Sequence, residues 1–195
     1  MELGLTTFAE TISSAGAGLV EHHGERLRQV VDEAVLAERV GLDIYAIGEH
    51  HRPDFAASAP AVVLAAIAAR TERIRLSPAV TVLSSDDPVR VYQQFATLDL
   101  LSEGRTELLV GRGSFIESFP LFGYSLEDYE ELFAEKLDLL LAIRDHERVT
   151  WSGSFRPPLV DQGVYPRSMQ DPLPVWVGVG GTPQSVVRAG HRGLP

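Results

Sequence analysis

The sequence predicts an α/β fold made of successive parallel βα units, and three observations predict it. Short runs of β-branched and aliphatic residues alternate with longer segments of helical period. Five such pairs follow one another without a run of strands or a run of helices. The helix-length segments tend to open at a proline or an acidic cap, and the first of them stops at a glycine. Hydrophobic residues are 45% of the 195, charged residues 23%, and cysteine is absent, so neither a disordered chain nor a disulfide scaffold fits.

Leu3 to Phe8 is the first strand, and residues 9 to 24, rich in Gly, Ser and His, are expected to form a long loop. From Arg26 to Val40, Leu27, Val30, Val31, Ala34 and Ala37 fall on one face at spacings of three and four, and Gly41 stops the helix. Asp43 to Ile47 is the second strand. Pro60, tolerated in a first turn because its missing N–H would be unpaired there, opens an Ala-rich helix to Arg70. Ile74 to Leu83 is the third strand, after which Asp87 caps and Pro88 opens a helix to about Leu101. Thr106 to Val110 is the fourth strand. Ser125 with Asp128 three residues on resembles a capping box, and Tyr129, Phe133, Leu137, Leu140 and Leu141 give the next helix its apolar stripe. Residues 148 to 173 carry Pro157, Pro158, Pro166 and Pro172 without helical period, an excursion of loops with room for a short hairpin. Pro174 to Val177 is the fifth strand, Thr182 and Pro183 start the last helix, and Gly193-Leu194-Pro195 reads as the approach to a sixth strand.

Five βα units fit either an open doubly wound sheet or part of an eight-stranded (β/α)₈ barrel. A complete barrel takes about 250 residues, so on the barrel reading residues 1–195 are one incomplete domain and roughly three units are missing. Lys and Arg number 17 against 27 Asp and Glu, and a net charge of −10 has the wrong sign for a nucleic-acid track. No window approaches the roughly 20 apolar residues of a membrane helix, and the start lacks the basic region of a signal peptide; the expectation is a cytoplasmic protein that meets neither nucleic acid nor membrane.

In parallel α/β folds, functional groups collect just after the strands. After strand two stands Gly48-Glu49-His50-His51-Arg52-Pro53. A Glu and two His there suit acid/base work, a metal, or hydrogen-bonding to an anionic intermediate, and equally a polar loop whose histidines cap backbone. Adjacent His residues on extended chain point to opposite sides, which argues against their sharing one metal. After strand three, the small residues of Ala79-Val80-Thr81 admit a flat ligand or simply pack. After strand four, Gly111-Arg112-Gly113-Ser114 pairs a charged fork with flexible backbone, a combination that suits a phosphate as well as a structural arginine. After strand five, Gly178-Val179-Gly180-Gly181-Thr182-Pro183 leads into a helix N-terminus, which attracts anions.

Taken in order, these segments resemble the bacterial luciferase-like flavin monooxygenases, most closely the oxidoreductase branch related to alkanal monooxygenases. The resemblance runs through GLDIYAIGEHHRPDF (41 to 55), RIRLSPAVTVLSSDDPVRVYQQFATLDLLSEGR (73 to 105), GRGSFIESFPLFGYSLEDYEELFAEKLDLLL (111 to 141) and PVWVGVGGTPQSVVRAG (174 to 190). It implies a luciferase-like (β/α)₈ TIM barrel, here about its first five units, that binds reduced FMN at the carboxyl ends of its strands and works as a homodimer. O₂ is then the co-substrate, a small organic, carbonyl-type compound the substrate, and a flavin reductase a partner such chemistry allows for. The resemblance makes His50 the active-site histidine. Ala79 and Val80 fall where such proteins carry a non-prolyl cis peptide behind the flavin ring. Arg112 matches a phosphate-contacting arginine, and Gly180, Gly181 and Ser185 match the phosphate loop. Bacterial luciferase carries a reactive cysteine where this chain has Gly111. No metal is implied. The alternatives are a deazaflavin-dependent hydride-transferring dehydrogenase and a flavin-binding protein without turnover; a metal-dependent barrel hydrolase would need further strand-end ligands.

Overall fold

The computed structural model describes residues 1–11, 19–180 and 183–195, with side chains at 19–21, 183–185 and 188 left aside. In chain order the elements are β1 (Gly4–Thr7), α1 (Leu19–Arg39), β2 (Ile44–Ile47), α2 (Pro60–Ala68), β3 (Arg75–Pro78), β4 (Thr81–Val82), α3 (Pro88–Leu101), β5 (Leu108–Gly111), α4 (Ser118–Phe122), α5 (Tyr129–Asp145), β6 (Arg148–Trp151), β7 (Leu159–Gly163), β8 (Val175–Val177) and α6 (Pro183–His191). No described helix is long and apolar enough to cross a membrane.

The parallel strands run in the order β1-β2-β3 and β4-β5-β8. The two sheets join where the Leu76 N–H donates to the Arg105 carbonyl and the Glu107 N–H to the Leu76 carbonyl, each at 2.9 Å. Gly4, Ile44 and Arg75 stand in register across the first three strands, and Leu108 stands beside Val175. Among the described residues β1 pairs only with β2, while the outer side of β8 bonds through the Val177 N–H to the Pro195 carbonyl at 3.1 Å. The sheet therefore stays open, as a partial barrel does.

Residues alternate between its two faces because strand side chains have a period of two. Tyr45, Ile47, Leu76, Leu108, Val110, Val175 and Val177 point to the helix side and are buried. There they meet Leu64 and Ile67 of α2, Val91 and Phe95 of α3, and Leu137, Leu140 and Ile143 of α5 in one apolar layer. The opposite face carries Ile44, Ala46 and Leu109, half-buried, the exposed Trp176, and Arg75 held between Glu2 at 2.7 Å and Glu107 at 2.6 Å.

Local chemistry explains the helix starts. Pro60 and Pro88 each occupy a first turn, and Asp87 Oδ1 accepts the Val89 and Arg90 N–H groups at 2.8 and 3.4 Å. At the end of α1, Gly41 takes a φ of 86°, the left-handed turn that glycine adopts without a Cβ clash.

Four expectations change. The first helix begins at Leu19, not Arg26, so Glu21, His22 and His23 belong to α1 rather than to a loop, and His23 Nε2 lies 2.9 Å from the Pro53 carbonyl; residues 12–18 of the expected loop lie outside the described ones. Strand three is two strands, β3 ending at Pro78 and β4 taking Thr81–Val82 after a cis Ala79–Val80 peptide, followed by a single 3₁₀ turn, Leu83–Ser85. Ser125 does cap, but it accepts from the Glu127 N–H at 3.1 Å and opens a short 3₁₀ turn ahead of α5. The short α4 is an addition. The 148–173 excursion does contain a hairpin, β6 with β7, antiparallel and irregular between Val149 and Trp151.

Candidate active site

Carboxyl ends of β1, β2, β3, β5 and β8 converge on one cleft of about 270 Å³, lined by Phe8, Glu49, His50, Ala79, Val80, Val82, Gly111, Gly113, Ser114, Gly178, Val179 and Gly180. His50 leaves β2 two residues after Gly48 and is buried. Its backbone N–H donates to the Ala57 carbonyl at 3.1 Å, which fixes where the side chain departs. Three rings enclose the imidazole, Phe55 at 4.3 Å, Phe115 at 4.5 Å and Phe8 at 5.1 Å between centroids. The nearest carboxylate is that of Glu117, 3.7 Å from Nδ1. Burial holds the His50 ring below the ordinary histidine range, against the opposite pull of Glu117 and Glu49. A group so placed is neutral near pH 7 and can take or give one proton.

Glycine shapes the facing wall. A Cβ on Gly111 would lie 2.6 Å from Val80 Cγ2, and one on Gly178 would lie 2.7 Å from Val80 Cγ1. The Val80 side chain thus sits down onto the ends of β5 and β8, and any larger residue at 111 or 178 would push it out.

His51 turns the other way. Its Nε2 is 2.9 Å from Glu49 Oε1, its ring stands edge-on to Phe122, and both the His51 and Glu49 side chains are more than nine-tenths buried. Glu49 Oε2 accepts the Val82 N–H at 3.0 Å. Behind them a smaller cavity, about 130 Å³, is lined by Glu49, His51, Thr81, Asp86 and Phe122 among others. Burial pushes the Asp86 carboxyl up, with Glu49 and Asp87 adding to the effect. Nearby Lys136 donates to the Ser84 carbonyl at 2.7 Å, lies over the Tyr124 ring, and is pulled by burial down to about 8. Among the described residues no three His, Cys, Asp or Glu side chains are grouped to hold a metal ion.

The family model of the luciferase-like monooxygenases matches residues 1–195. The chain belongs to that family. Among solved luciferase-like structures, the monooxygenase RslO1 from Streptomyces bottropensis superposes with a TM-score of 0.87 at 27% identity, covering 100% of this chain and 58% of that one. The oxygenating constituent of 3,6-diketocamphane monooxygenase from Pseudomonas putida, solved in complex with FMN, shares the fold at a TM-score of 0.77 and 22% identity, over 100% of this chain and 56% of its own. An F420-dependent glucose-6-phosphate dehydrogenase of Amycolatopsis mediterranei is 33% identical over 174 residues, 85% of this chain and 51% of its own length. The chain spans about half the length of the curated relatives it matches.

Within the luciferase-like frame, the residues singled out by sequence divide into two groups. His50, Ala79, Val80 and Gly180 line the cleft together. Arg112 does not line it: the guanidinium pairs with Glu130 and stacks on Tyr129 at 5.2 Å, against the start of α5. Gly181 lies outside the described residues, and Ser185 enters only as backbone in the first turn of α6. Sequence reasoning did not single out Phe8, Phe55 or Glu117, which surround His50, and it had Phe115 and Gly178 only as members of strand-end runs, without their contacts to His50 and Val80. Phe8 and Gly178 each stand immediately after a strand, a position that flags them; Glu117 reaches the site from a loop 67 positions further along the chain and carries no local signal.

Proposed function

We propose that the protein is a flavin-dependent oxidoreductase of the monooxygenase kind, using reduced FMN and O₂ on a small carbonyl-type compound. One observation carries the reading: the cleft is lined mainly by apolar side chains and glycine backbone, with Val80 seated on Gly111 and Gly178 and one buried histidine in its wall. That lining fits a planar isoalloxazine ring, whose rear face needs apolar contact and whose edge needs one proton-handling group.

When bound, reduced FMN supplies the electron pair that activates oxygen; everything else asked of the site falls to the chain. The Val80 side chain would back the ring. Phe8, Phe55 and Phe115 keep water from the His50 side of the slot. Glu117 beside Nδ1 favours the tautomer with its proton there, leaving His50 Nε2 to take or return a proton. Gly180 and Gly181, with Ser185 in the following helix, would meet the phosphate through backbone N–H groups and a hydroxyl, and the helix N-terminus favours that charge. Arg112 would join them by exchanging Glu130 for phosphate, which its fork can meet bidentately as it can a carboxylate.

The hydride-transfer reading with the deazaflavin coenzyme F420 is the second one, favoured by the 33% identity to a relative bearing that name. The absorption spectrum of the purified full-length protein, with the mass of the cofactor it releases, separates the two. FMN with substrate-dependent O₂ consumption is the expected outcome. Release of F420, with O₂-independent turnover, replaces the first reading by the second, and a bound flavin without turnover on any carbonyl compound leaves a binding protein.

A further inference from the structure

Glu49 is a carboxylate in a place where a carboxylate is costly. Its side chain is more than nine-tenths buried, and it lies in the wall between the cleft and the smaller cavity behind it, lining both. A buried charge persists only where its acceptor sites are met. Glu49 meets them across a break in the sheet. The last ladder bond on that side runs from the Ala79 N–H to the Ile47 carbonyl at 2.7 Å. Three residues later, where β2 has ended, the Val82 N–H donates to Glu49 Oε2, while Oε1 faces His51 Nε2. Between these two fixed points lies Val80, the residue wedged onto Gly111 and Gly178.

We propose that Glu49 is a positioning residue of the cleft: by bridging the Val82 N–H and the His51 ring it fixes the 79–82 segment, and so holds Val80 at the height at which a flavin ring can lie on it. The inference rests on the reading of the cleft as a flavin site and gives Glu49, which lines the wall of that cleft, a positioning part in it. Glu49 acts on the ring's seat through a backbone amide. His51 shares the task rather than the chemistry, and this accounts for two neighbouring histidines with different surroundings.

The test joins amide exchange on the cofactor-free, full-length protein, read residue by residue by NMR, to titration with FMN and, in parallel, with F420. Glu49→Ala should speed exchange at Val82 by about 30-fold or more while Val110 in β5 stays within about threefold, a loss confined to one clamp. The same variant should weaken the cofactor that the wild type binds by about tenfold or more and shift the visible spectrum of the bound flavin. Glu49→Gln keeps an acceptor for Val82 and a polar group for His51, and should stay within about threefold on both measures. Should the alanine variant fail to fold, Glu49→Asp, charged but one methylene too short to span both partners, is read in its place with the same signs. Exchange that rises alike across β4 and β5 with unchanged cofactor affinity overturns the proposal, because it describes a carboxylate that only stabilises. If the wild type binds neither cofactor, the flavin reading falls on its own, and the clamp still stands or falls on Val82 exchange alone.

Discussion

The two ends of the parallel sheet treat their polar groups in opposite ways. At the amino ends, Arg105, Glu38 and Asp99 tie the strand starts together through dense hydrogen bonding. Arg105, just ahead of β5, donates from Nε to the Ser102 carbonyl, from Nη1 to Thr71 Oγ1 and the Ile74 carbonyl, and from Nη2 to the Ala68 and Thr71 carbonyls, at 2.8 to 3.2 Å. All five guanidinium N–H groups are thereby used. Glu38 collects the N–H groups of Glu72, Arg73 and Ile74, and Asp99 those of Thr106 and Gln170. At the carboxyl ends, by contrast, the carboxylate nearest His50 Nδ1 stands at 3.7 Å, beyond a hydrogen bond, and the buried Ser84 and Ser118 hydroxyls have no protein partner. One end is saturated and the other holds capacity in reserve. The lesson is that engagement, more than burial or charge, separates groups that hold the fold from groups that serve a ligand.

The largest expected effect tests the reserve. His50→Ala in the full-length protein should lower turnover by about 10² to 10⁴, the range for one positioned acid/base group, while unfolding free energy stays within about 1 kcal/mol. A loss of turnover below about tenfold would return His50 to the structural side. Next comes the saturated end. Arg105→Ala leaves several buried carbonyls without donors and should cost about 3 kcal/mol or more in urea unfolding, with cofactor affinity of the folded protein unchanged. Arg112 sits between the two behaviours, because it is at the carboxyl end yet paired with Glu130. Arg112→Ala should weaken FMN about tenfold, or about 1.4 kcal/mol; unaltered affinity would show that Glu130 is its working partner. The smallest effect is the sharpest check. Asp87 lies at the carboxyl end but is fully engaged, by its helix cap and by Arg156 at 3.1 Å. Asp87→Ala should therefore behave like an amino-end variant, losing about 1 kcal/mol of stability with no change in cofactor affinity. A change in affinity instead would tie the contrast to position in the sheet rather than to engagement.

What was legible in the sequence follows from how local each cause is. Pro60, Asp87 with Pro88, and Gly41 act within one helical turn, and the structure has each where the sequence placed it. The alternation of strands with helices, and the room for a hairpin within 148–173, came from period and punctuation, while the order of the strands did not. The start of α1 was missed because Leu19 and Val20 follow a stretch of Gly, Ser and Ala that masks the onset of helical period. The break inside strand three was missed because Ser77 to Val82 reads as one continuous run, and what divides it is packing: Val80 goes to β5 and β8, while the Val82 N–H goes to Glu49. The same holds for the site. His50 was visible as a strand-end histidine, but the rings of Phe55 and Phe115 reach it only through tertiary contact, and the pairing of Arg112 with Glu130 depends on where α5 begins.

The Val80 wedge also has a consequence for heredity and for engineering. Positions 80, 111 and 178 share one small volume, so none of them can drift alone. A library that randomises 111 by itself should return glycine almost without exception, whereas randomising 80 and 111 together should return pairs in which a small residue at 80 makes room for Ala, Ser or Cys at 111. Installing a thiol beside the slot at position 111 is therefore a change of two residues, and a lineage that carries one half of it would pass through a damaged cleft to reach the other.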